Sequence, residues 1–401
     1  MGARGTAQSP KVNDEQITRL LQDLVRIPSV NPCGDPGTSA TNTGEARIAE
    51  YVADFLRKLA LDVELHEVEP GRPNVIGKFS SRGARQSVAF APHTDTVSVA
   101  GMTIDPFAGE IRDGKLYGRG ACDTKGSLAA MLAALANVMR RKEFREGGLD
   151  VHFCALMGEE GGNDGARALV QRGFKADFAV AGEPTDNRIV HAHKGSLWFR
   201  LRTRGRSAHG ATPDQGESAI LKMSGVVQYL LGDYTATLRH AATESLGAPT
   251  INVGLIRGGT QTNIVPDSCE IEVDRRLVPG ETNESVVNGL RKALQHLGIE
   301  IDNLHGSPPL FTDPKNAFVQ RLAAATGRRE ALTTAPWFCD AGIFAAHGIP
   351  SVAFGPGNIG QAHTADEFIE LREVFRATQI LEEFLLSGSQ AVAGAKKIGI
   401  E

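Results

Sequence analysis

An apolar run ends in two adjacent glutamates at residues 149–162, LDVHFCALMGEEGG. Residues 149–157 have the composition of a buried β-strand, and the glycines after the glutamates are typical of a turn. Further strand-like runs occur at 61–68, 75–79, 87–91 and 176–181, and helical spacing of apolar residues occurs at 17–25, 48–59 and 127–139. Because strands alternate with helices, the sequence predicts an α/β domain whose central strands are buried.

This alternation breaks between residues 191 and 310, where the order becomes strand, strand, helix, strand, strand, helix. The order predicts a small α+β unit of the split βαβ kind, inserted into the larger domain. Afterwards the α/β pattern resumes, at 317–325, 351–354 and 371–386. We therefore expect a discontinuous larger domain, residues 1–190 and 311–401, around an inserted domain at 191–310. Residues 387–401 are expected to form a loose tail.

Composition and charge narrow the class of protein. The chain has 401 residues, of which 41% are hydrophobic and 22% charged, with a net charge of −4. These values fit a soluble globular protein and give no basic surface for nucleic acid or an anionic membrane. The polar stretch Met1–Lys11 lacks the apolar core of a signal peptide, and five widely spaced cysteines indicate neither disulfides nor a thiolate zinc site. We expect a cytoplasmic protein with reduced cysteines and no membrane partner.

A loop rich in proline, glycine, serine and threonine occupies residues 31–45. A loop of this length is compatible with two interpretations, one in which it lines a pocket and one in which it is merely mobile. Both remain open from the sequence.

Histidines and carboxylates follow the predicted strands of the larger domain. They occur at His93 and Asp95, at Asp123 before the helix of 127–139, at Glu159 and Glu160, at Glu183 and at His363. Taken singly, each has a structural interpretation, such as a helix N-cap at Asp123 or a solvated acidic turn at the glutamate pair. Together they lie where open α/β sheets bind ligands. Imidazole and carboxylate suit zinc, cobalt or manganese, and their number suits two metals that share one carboxylate.

The motifs that contain these residues occur in a characteristic order. They read SVNP at 29–32, APHTD at 91–95, GRGACDTKG at 118–126, MGEEGG at 157–162, AGEPT at 181–185 and QAHTADE at 361–367. In order and wording they resemble the dizinc aminoacylase and metallocarboxypeptidase family, which includes acetylornithine deacetylase, succinyl-diaminopimelate desuccinylase, glutamate carboxypeptidase and aminoacylase. The resemblance implies a zinc-peptidase-like α/β catalytic domain with a mixed central sheet, and an inserted ferredoxin-like α+β domain that acts as lid and dimerisation domain.

The same resemblance assigns roles to the individual residues. It implies that His93 and Glu183 bind one metal, that Glu160 and His363 bind the other, and that Asp123 bridges the two. Asp95 would orient His93, and Glu159 would be the general base that takes a proton from a metal-bridging water. The resemblance also implies two divalent ions, Zn²⁺ or alternatively Co²⁺, and a cis peptide bond after Asp123.

In the inserted domain, the resemblance singles out residues 205–213, GRSAHGATP, and residues 258–263, GGTQTN. By itself His209 is an ordinary loop histidine, but the motif implies that it reaches the active site of the other subunit of a homodimer and stabilises an oxyanion. Asn263 and Arg276 would meet the carboxylate of the substrate. Alternatively, residues 258–263 form only a hairpin turn and Arg276 is a surface arginine on a strand.

The expected reaction is hydrolysis of the amide of an N-acyl amino acid, of the acetylornithine or succinyl-diaminopimelate type. A dizinc carboxypeptidase or dipeptidase is the enzymatic alternative. Residues 339–342, CDAG, depart from the glycine- and threonine-bearing form common in the family, so the resemblance assigns no role to the pocket near Cys339. A non-catalytic binding protein on the same fold would be expected to have lost a ligand or the base, and neither is lost. A purely structural metal site would need no spare base, so Glu159 argues against it.

Overall fold

The computed structural model describes residues 11–33 and 38–395, without the side chains of residues 303, 304 and 389–395. Three of the stretches discussed above therefore lie partly outside the described residues. They are the N-terminal stretch up to residue 10, the loop of 31–45 at residues 34–37, and the tail from residue 396 onward.

The chain divides into two compact units. The larger comprises residues 1–191, 312–333 and 339–401, and the smaller comprises 192–311 and 334–338. The sequence-based boundaries do not assign residues 334–338 to the smaller unit.

Helices and strands are numbered along the chain. Up to the start of the smaller unit they are α1 (Asp14–Arg26), α2 (Ala46–Lys58), β1 (Asp62–Glu69), β2 (Arg72–Phe79), β3 (Ser87–Pro92), β4 (Glu110–Arg112), β5 (Lys115–Tyr117), α3 (Gly126–Val138), α4 (Lys142–Arg145), β6 (Asp150–Ala155), α5 (Glu159–Gly162), α6 (Asp164–Gln171), β7 (Phe178–Gly182) and β8 (Ile189–His193). The remainder are β9 (Gly195–Arg204), α7 (Ala219–Tyr229), α8 (Thr235–His240), β10 (Thr250–Gly258), β11 (Ser268–Leu277), α9 (Asn283–Leu294), β12 (Glu300–Ser307), β13 (Leu310–Phe311), α10 (Ala317–Thr326), β14 (Leu332–Ala335), α11 (Asp340–Ala346), β15 (Ser351–Ala353), β16 (Phe368–Glu370) and α12 (Leu371–Ala395).

A mixed sheet forms the centre of the larger unit, with strand order β1-β2-β6-β3-β7-β15-β8-β13 and with β14 also paired to β8. The pairs β6–β3, β3–β7 and β7–β15 are parallel, whereas β1–β2 and β2–β6 are antiparallel. Every residue of β7 is buried. Because both faces of a central parallel strand are covered, its sequence is continuously apolar instead of alternating. The predicted α/β class with a mixed central sheet is confirmed.

The smaller unit has a four-stranded antiparallel sheet in the order β10-β11-β9-β12. Helices α7 and α9 contribute Met223, Val226, Val287 and Leu290 to one apolar core with β9 and β11. This βαββαβ order with two packed helices is the ferredoxin-like arrangement, so the predicted α+β class of the inserted unit is confirmed.

The C-terminal helix corrects the prediction of a loose tail from residue 387, because α12 continues to Ala395. The Ser387 hydroxyl donates to the carbonyl of Phe384 at 2.7 Å, so this serine is accommodated within the helix. A Cβ at Gly388 would lie 2.7 Å from the side chain of Leu149, so glycine permits close packing here. Neither α12 nor any other helix in the described part of the chain has the length and apolarity needed to cross a membrane.

Candidate metal centre and catalytic site

The carboxyl ends of three neighbouring strands place the predicted site residues at one edge of the sheet. His93 follows β3, Glu159 and Glu160 follow β6, and Glu183 follows β7. Because these strands are mutually parallel, their carboxyl ends lie side by side. Asp123 precedes α3, and its peptide bond to Thr124 is cis.

Asp123 lies between two histidines. Its Oδ1 is 3.1 Å from Nε2 of His93, and its Oδ2 is 3.4 Å from Nε2 of His363. The same Nε2 of His363 lies 3.3 Å from Oε1 of Glu160. Each oxygen of one buried carboxylate therefore faces a different imidazole, which is the arrangement expected of a bridging ligand between two metals.

The site concentrates negative charge in a buried space. Burial raises the pKa of Glu159 and of Glu183 well above the usual range, and neighbouring carboxylates raise both further. Burial and the charge of Asp123 together raise the pKa of Glu160 to about 7. On the cationic side, hydrogen bonds to Asp123 and Glu160 raise the pKa of His363 to about 10. Buried carboxylates of this kind require protons or cations for compensation.

The donor set fits a divalent metal. Single ligand atoms of His93, Asp123 and Glu160 lie within 4.8 Å of one another. One imidazole nitrogen and two carboxylate oxygens are a combination that zinc accepts. Glu183 is 6% exposed, and its charge acts on both His93 and Glu159. The residues present therefore fit the implied metals.

Asp95 makes more contacts than its predicted role of orienting His93 requires. Nδ1 of His93 lies 3.0 Å from the backbone carbonyl of Asp95 and 3.4 Å from its Oδ1. A proton on Nδ1 that is donated to this carbonyl leaves the lone pair of Nε2 available for a metal. The carboxylate itself accepts the backbone N–H groups of Glu159 and Glu160, each at 3.0 Å. Asp95 thus fixes the backbone of the glutamate pair as well as the histidine.

Four residues that the sequence did not single out support the site. Asn31 donates from Nδ2 to Oδ2 of Asp95 at 2.7 Å, which places the start of the loop of 31–45 beside the site. Asn163 donates to Glu159 and to Asp340, and Glu367 accepts from the backbone N–H of Asp123. Asn31, Asp340 and Glu367 lie within motifs or segments noted in the sequence, whereas Asn163 lies just after one, and no local pattern pointed to it.

In the smaller unit, the loops of His209 and Asn263 are neighbours. The N–H of Gly210 donates to the carbonyl of Asn263 at 2.8 Å, and His209 pairs with Ile264. Nδ1 of His209 accepts the N–H of Ala211 at 3.0 Å. An imidazole that accepts at Nδ1 carries its proton on Nε2, so exposed His209 presents an Nε2–H donor.

Arg276 lies on β11. Its Nη2 bonds Oδ2 of Asp274 at 3.0 Å, and its guanidinium lies 5.6 Å from the ring centre of Phe338. Arg276, His209 and Asn263 all belong to the smaller unit, whereas the predicted metal ligands and Glu159 belong to the larger one.

Comparison with known proteins places this chain in a family and gives several similar folds. Residues 89–387 match the model of peptidase family M20/M25/M40. Aminopeptidase PepT from Bacillus cereus is 25% identical, with a TM-score of 0.72 over 93% of this chain and 98% of that one. A metallo-carboxypeptidase of the M20 family from Sulfolobus solfataricus is 21% identical, with a TM-score of 0.73 over 94% and 99%. The YXEP protein of Bacillus subtilis, described as a dinuclear metal binding peptidase, is 17% identical, with a TM-score of 0.67 over 94% and 98%. Since the family match covers well over half of the chain, this protein belongs to peptidase family M20/M25/M40.

Proposed function

We propose that this protein is a metal-dependent amidohydrolase that cleaves the amide bond of an N-acyl amino acid. The observation that supports this most directly is the placement of Asp123, whose two carboxylate oxygens face His93 and His363. Nε2 of His363 lies 3.3 Å from Glu160, and ligand atoms of His93, Asp123 and Glu160 lie within 4.8 Å of one another. Glu160 can therefore serve as a ligand while the adjacent Glu159 serves as a base. A small peptide is the second candidate substrate, because one structural neighbour is named as an aminopeptidase and another as a metallo-carboxypeptidase.

Two divalent cations are proposed, with Zn²⁺ as the expected ion and Co²⁺ as a substitute. His93 and Glu183 would hold one, Glu160 and His363 the other, and Asp123 both. When bound, they supply a Lewis acid for the substrate carbonyl and lower the pKa of a water molecule.

Glu159 accepts the proton of the attacking water and returns it to the amine nitrogen as the C–N bond breaks. One carboxylate beside the predicted ligand Glu160 can make both transfers. The Nε2–H of His209 is assigned to the oxygen on which negative charge develops. Asn263 and Arg276 are assigned to the substrate carboxylate, a group that N-acyl amino acids and peptides share.

A hydrolysis panel tests this proposal. The protein is stripped with a chelator and then assayed with Zn²⁺, Co²⁺ or Mn²⁺ on acetyl-ornithine, succinyl-diaminopimelate, other N-acetyl amino acids, dipeptides and tripeptides. We expect no cleavage by the stripped protein and cleavage of at least one class after a metal is restored. Preference for the acyl compounds supports the deacylase, and preference for peptides supports the second candidate. Absence of all cleavage with metal restored would contradict both.

We also propose that the protein forms a homodimer through the smaller unit. Strand β10 lies at an edge of its sheet, where Leu255 and Ile256 are 47% and 60% exposed. Leu221 on α7 of the same unit is 72% exposed. Within the described part of the chain, β10 pairs with a strand on one side only. An edge of this kind beside exposed large apolar residues is a typical self-association surface.

Ile256→Lys is expected to convert a dimer of 42.7 kDa chains into monomers in sedimentation equilibrium. The substitution adds a charge to the edge strand, which opposes strand pairing between copies. Ile111→Lys is the matched control, because Ile111 is 40% exposed on β4 of the larger unit. If His209 acts in the neighbouring subunit, Ile256→Lys also lowers kcat, by about 10²-fold or more for a lost oxyanion donor. A wild-type protein that sediments as a monomer at micromolar concentration would refute the dimer.

A cytoplasmic location is proposed from cysteine chemistry. All five cysteines are free, and four of them are buried. Unpaired thiols are usual in a reducing compartment. Retention of the protein in the soluble cytoplasmic fraction of fractionated cells is the measurement that checks it.

A further inference from the structure

Asn163 contacts the carboxylate proposed as the general base. It lies between α5 and α6, is fully buried, and has a left-handed backbone conformation with φ of 63°. Its Nδ2 donates to Oε1 of Glu159 at 3.1 Å and to Oδ1 of Asp340 at 2.9 Å. A carboxamide nitrogen has two hydrogens, so each carboxylate receives one.

These contacts fix the orientation of the Asn163 amide. An amide rotated by 180° would direct its oxygen towards two carboxylates, which is electrostatically unfavourable. Asp340 is 1% exposed at the start of α11, and α11 packs against α6. Asp340 therefore holds Asn163 from a distant part of the chain.

From these contacts we infer that Asn163, held by Asp340, is a positioning residue for Glu159, an inference that rests on the proposed function. The backbone N–H of Glu159 is already bound by Oδ1 of Asp95 at 3.0 Å. The bond from Asn163 fixes one carboxylate oxygen as well, which restricts the side chain and leaves Oε2 as the oxygen available to exchange a proton.

A neutral amide suits this task better than a cation. A lysine or arginine beside Glu159 would stabilise its charged form strongly and weaken it as a base. An amide holds the carboxylate in place with a smaller effect on its basicity.

Asn163→Gly is the principal test, because glycine adopts the left-handed backbone readily and removes only the side chain. We expect kcat to fall by about 10-fold to 10²-fold, the effect of a misplaced catalytic group. KM, the bound metal content and the visible spectrum of the Co²⁺-loaded protein are expected to stay unchanged, because the predicted ligands remain in place.

Asn187→Gly is the matched control. Asn187 is also fully buried with a left-handed φ of 56°, and its Nδ2 donates to a carboxylate oxygen of Glu373 at 2.8 Å. Both substitutions remove a buried amide from the same backbone conformation, but Asn187 is assigned no role in the reaction. We expect Asn187→Gly to lower stability while kcat remains within about twofold of the wild type.

A double variant separates positioning from a purely structural effect. In the background of Glu159→Gln, Asn163→Gly is expected to cause no further loss of kcat, because the group it positions is already disabled. If Asn163→Gly does not fold, Asp340→Asn provides the test: kcat is expected to fall below the wild-type value with unchanged metal content, and a wild-type kcat would overturn the inference.

Three results would overturn the inference. They are a normal kcat in folded Asn163→Gly, a loss of kcat accompanied by lost metal or an altered Co²⁺ spectrum, and a further fall in the double variant. A different result would show that the proposed function itself is wrong: in that case Glu159→Gln retains turnover.

Discussion

Glu159→Gln is expected to bind its full complement of metal and to lose turnover by about 10²-fold to 10⁴-fold, the usual contribution of a general acid–base group. Glutamine preserves the size of the side chain and an oxygen acceptor for Asn163, but its amide cannot accept the proton of the attacking water. The hydrogen bond from the backbone N–H of Glu159 to Oδ1 of Asp95 does not involve the side chain of residue 159. The geometry of the site is therefore expected to survive the substitution. Metal analysis and steady-state kinetics on the best substrate measure the two quantities.

Glu160→Gln is the natural companion, because it makes the same chemical change one residue further along. Glu160 lies 3.3 Å from His363 and shares with His93 and Asp123 the cluster of ligand atoms within 4.8 Å. Its loss is expected to weaken metal binding, so that activity falls at limiting Zn²⁺ and recovers in part when Zn²⁺ is raised. If added metal restored the turnover of Glu159→Gln, or if that variant had normal turnover from the start, the division of roles between the two glutamates would be refuted.

The sequence grouped the candidate metal-site residues for a physical reason. His93 and Glu183 directly follow apolar strands, and the glutamate pair begins four residues after the end of β6. The carboxyl ends of parallel strands lie at one edge of the sheet. The apolar runs around them could therefore be read without knowledge of long-range contacts. The boundaries of β3 and β7 differ from the predicted runs by no more than two residues.

Residues that support the site could not be found in this way. Asn163 contacts Asp340, 177 positions away, and Arg119 contacts Glu367, 248 positions away. Neither pair has a periodic pattern, because a buried polar contact depends on tertiary structure rather than on local spacing. The short strands β4, β5 and β16, which form a separate three-stranded sheet, were missed because three residues carry too little pattern.

Arg119→Met is expected to destabilise the larger unit by about 3–5 kcal/mol, the cost of leaving one charge of a buried pair without its partner. Nη1 of Arg119 lies 2.7 Å from Oε2 of Glu367, and the two residues are 3% and 0% exposed. Arg57→Met is the control, because Arg57 and Asp54 form a pair at 2.9 Å whose side chains are 47% and 57% exposed. An exposed pair contributes about 0–1 kcal/mol. Urea unfolding measures the free energy of unfolding of both variants. Similar decreases in the two would contradict the expectation that the buried pair contributes more to stability than the exposed one.

The penalty in Arg119→Met is expected to depend on pH with a definite sign. Burial raises the pKa of Glu367, and the charge of Arg119 opposes that rise. Without the arginine the pKa rises further, so the native state holds a proton that the unfolded chain releases, and stability falls as the pH rises. The loss in free energy of unfolding caused by Arg119→Met should thus be largest at neutral pH. It should shrink as the pH falls towards about 4.3, the ordinary pKa of a glutamate.

Metal affinity is expected to fall together with stability in Arg119→Met. The carboxylate of Glu367 also accepts the backbone N–H groups of Gly120, Cys122 and Asp123, at 3.0, 2.8 and 3.0 Å. Glu367 therefore holds the loop that carries the proposed bridging ligand, and a carboxylate that becomes protonated or moves towards solvent releases that loop. Titration with Zn²⁺ under conditions where the variant is still folded measures this effect. An unchanged affinity would show that the backbone N–H bonds alone suffice to place Asp123.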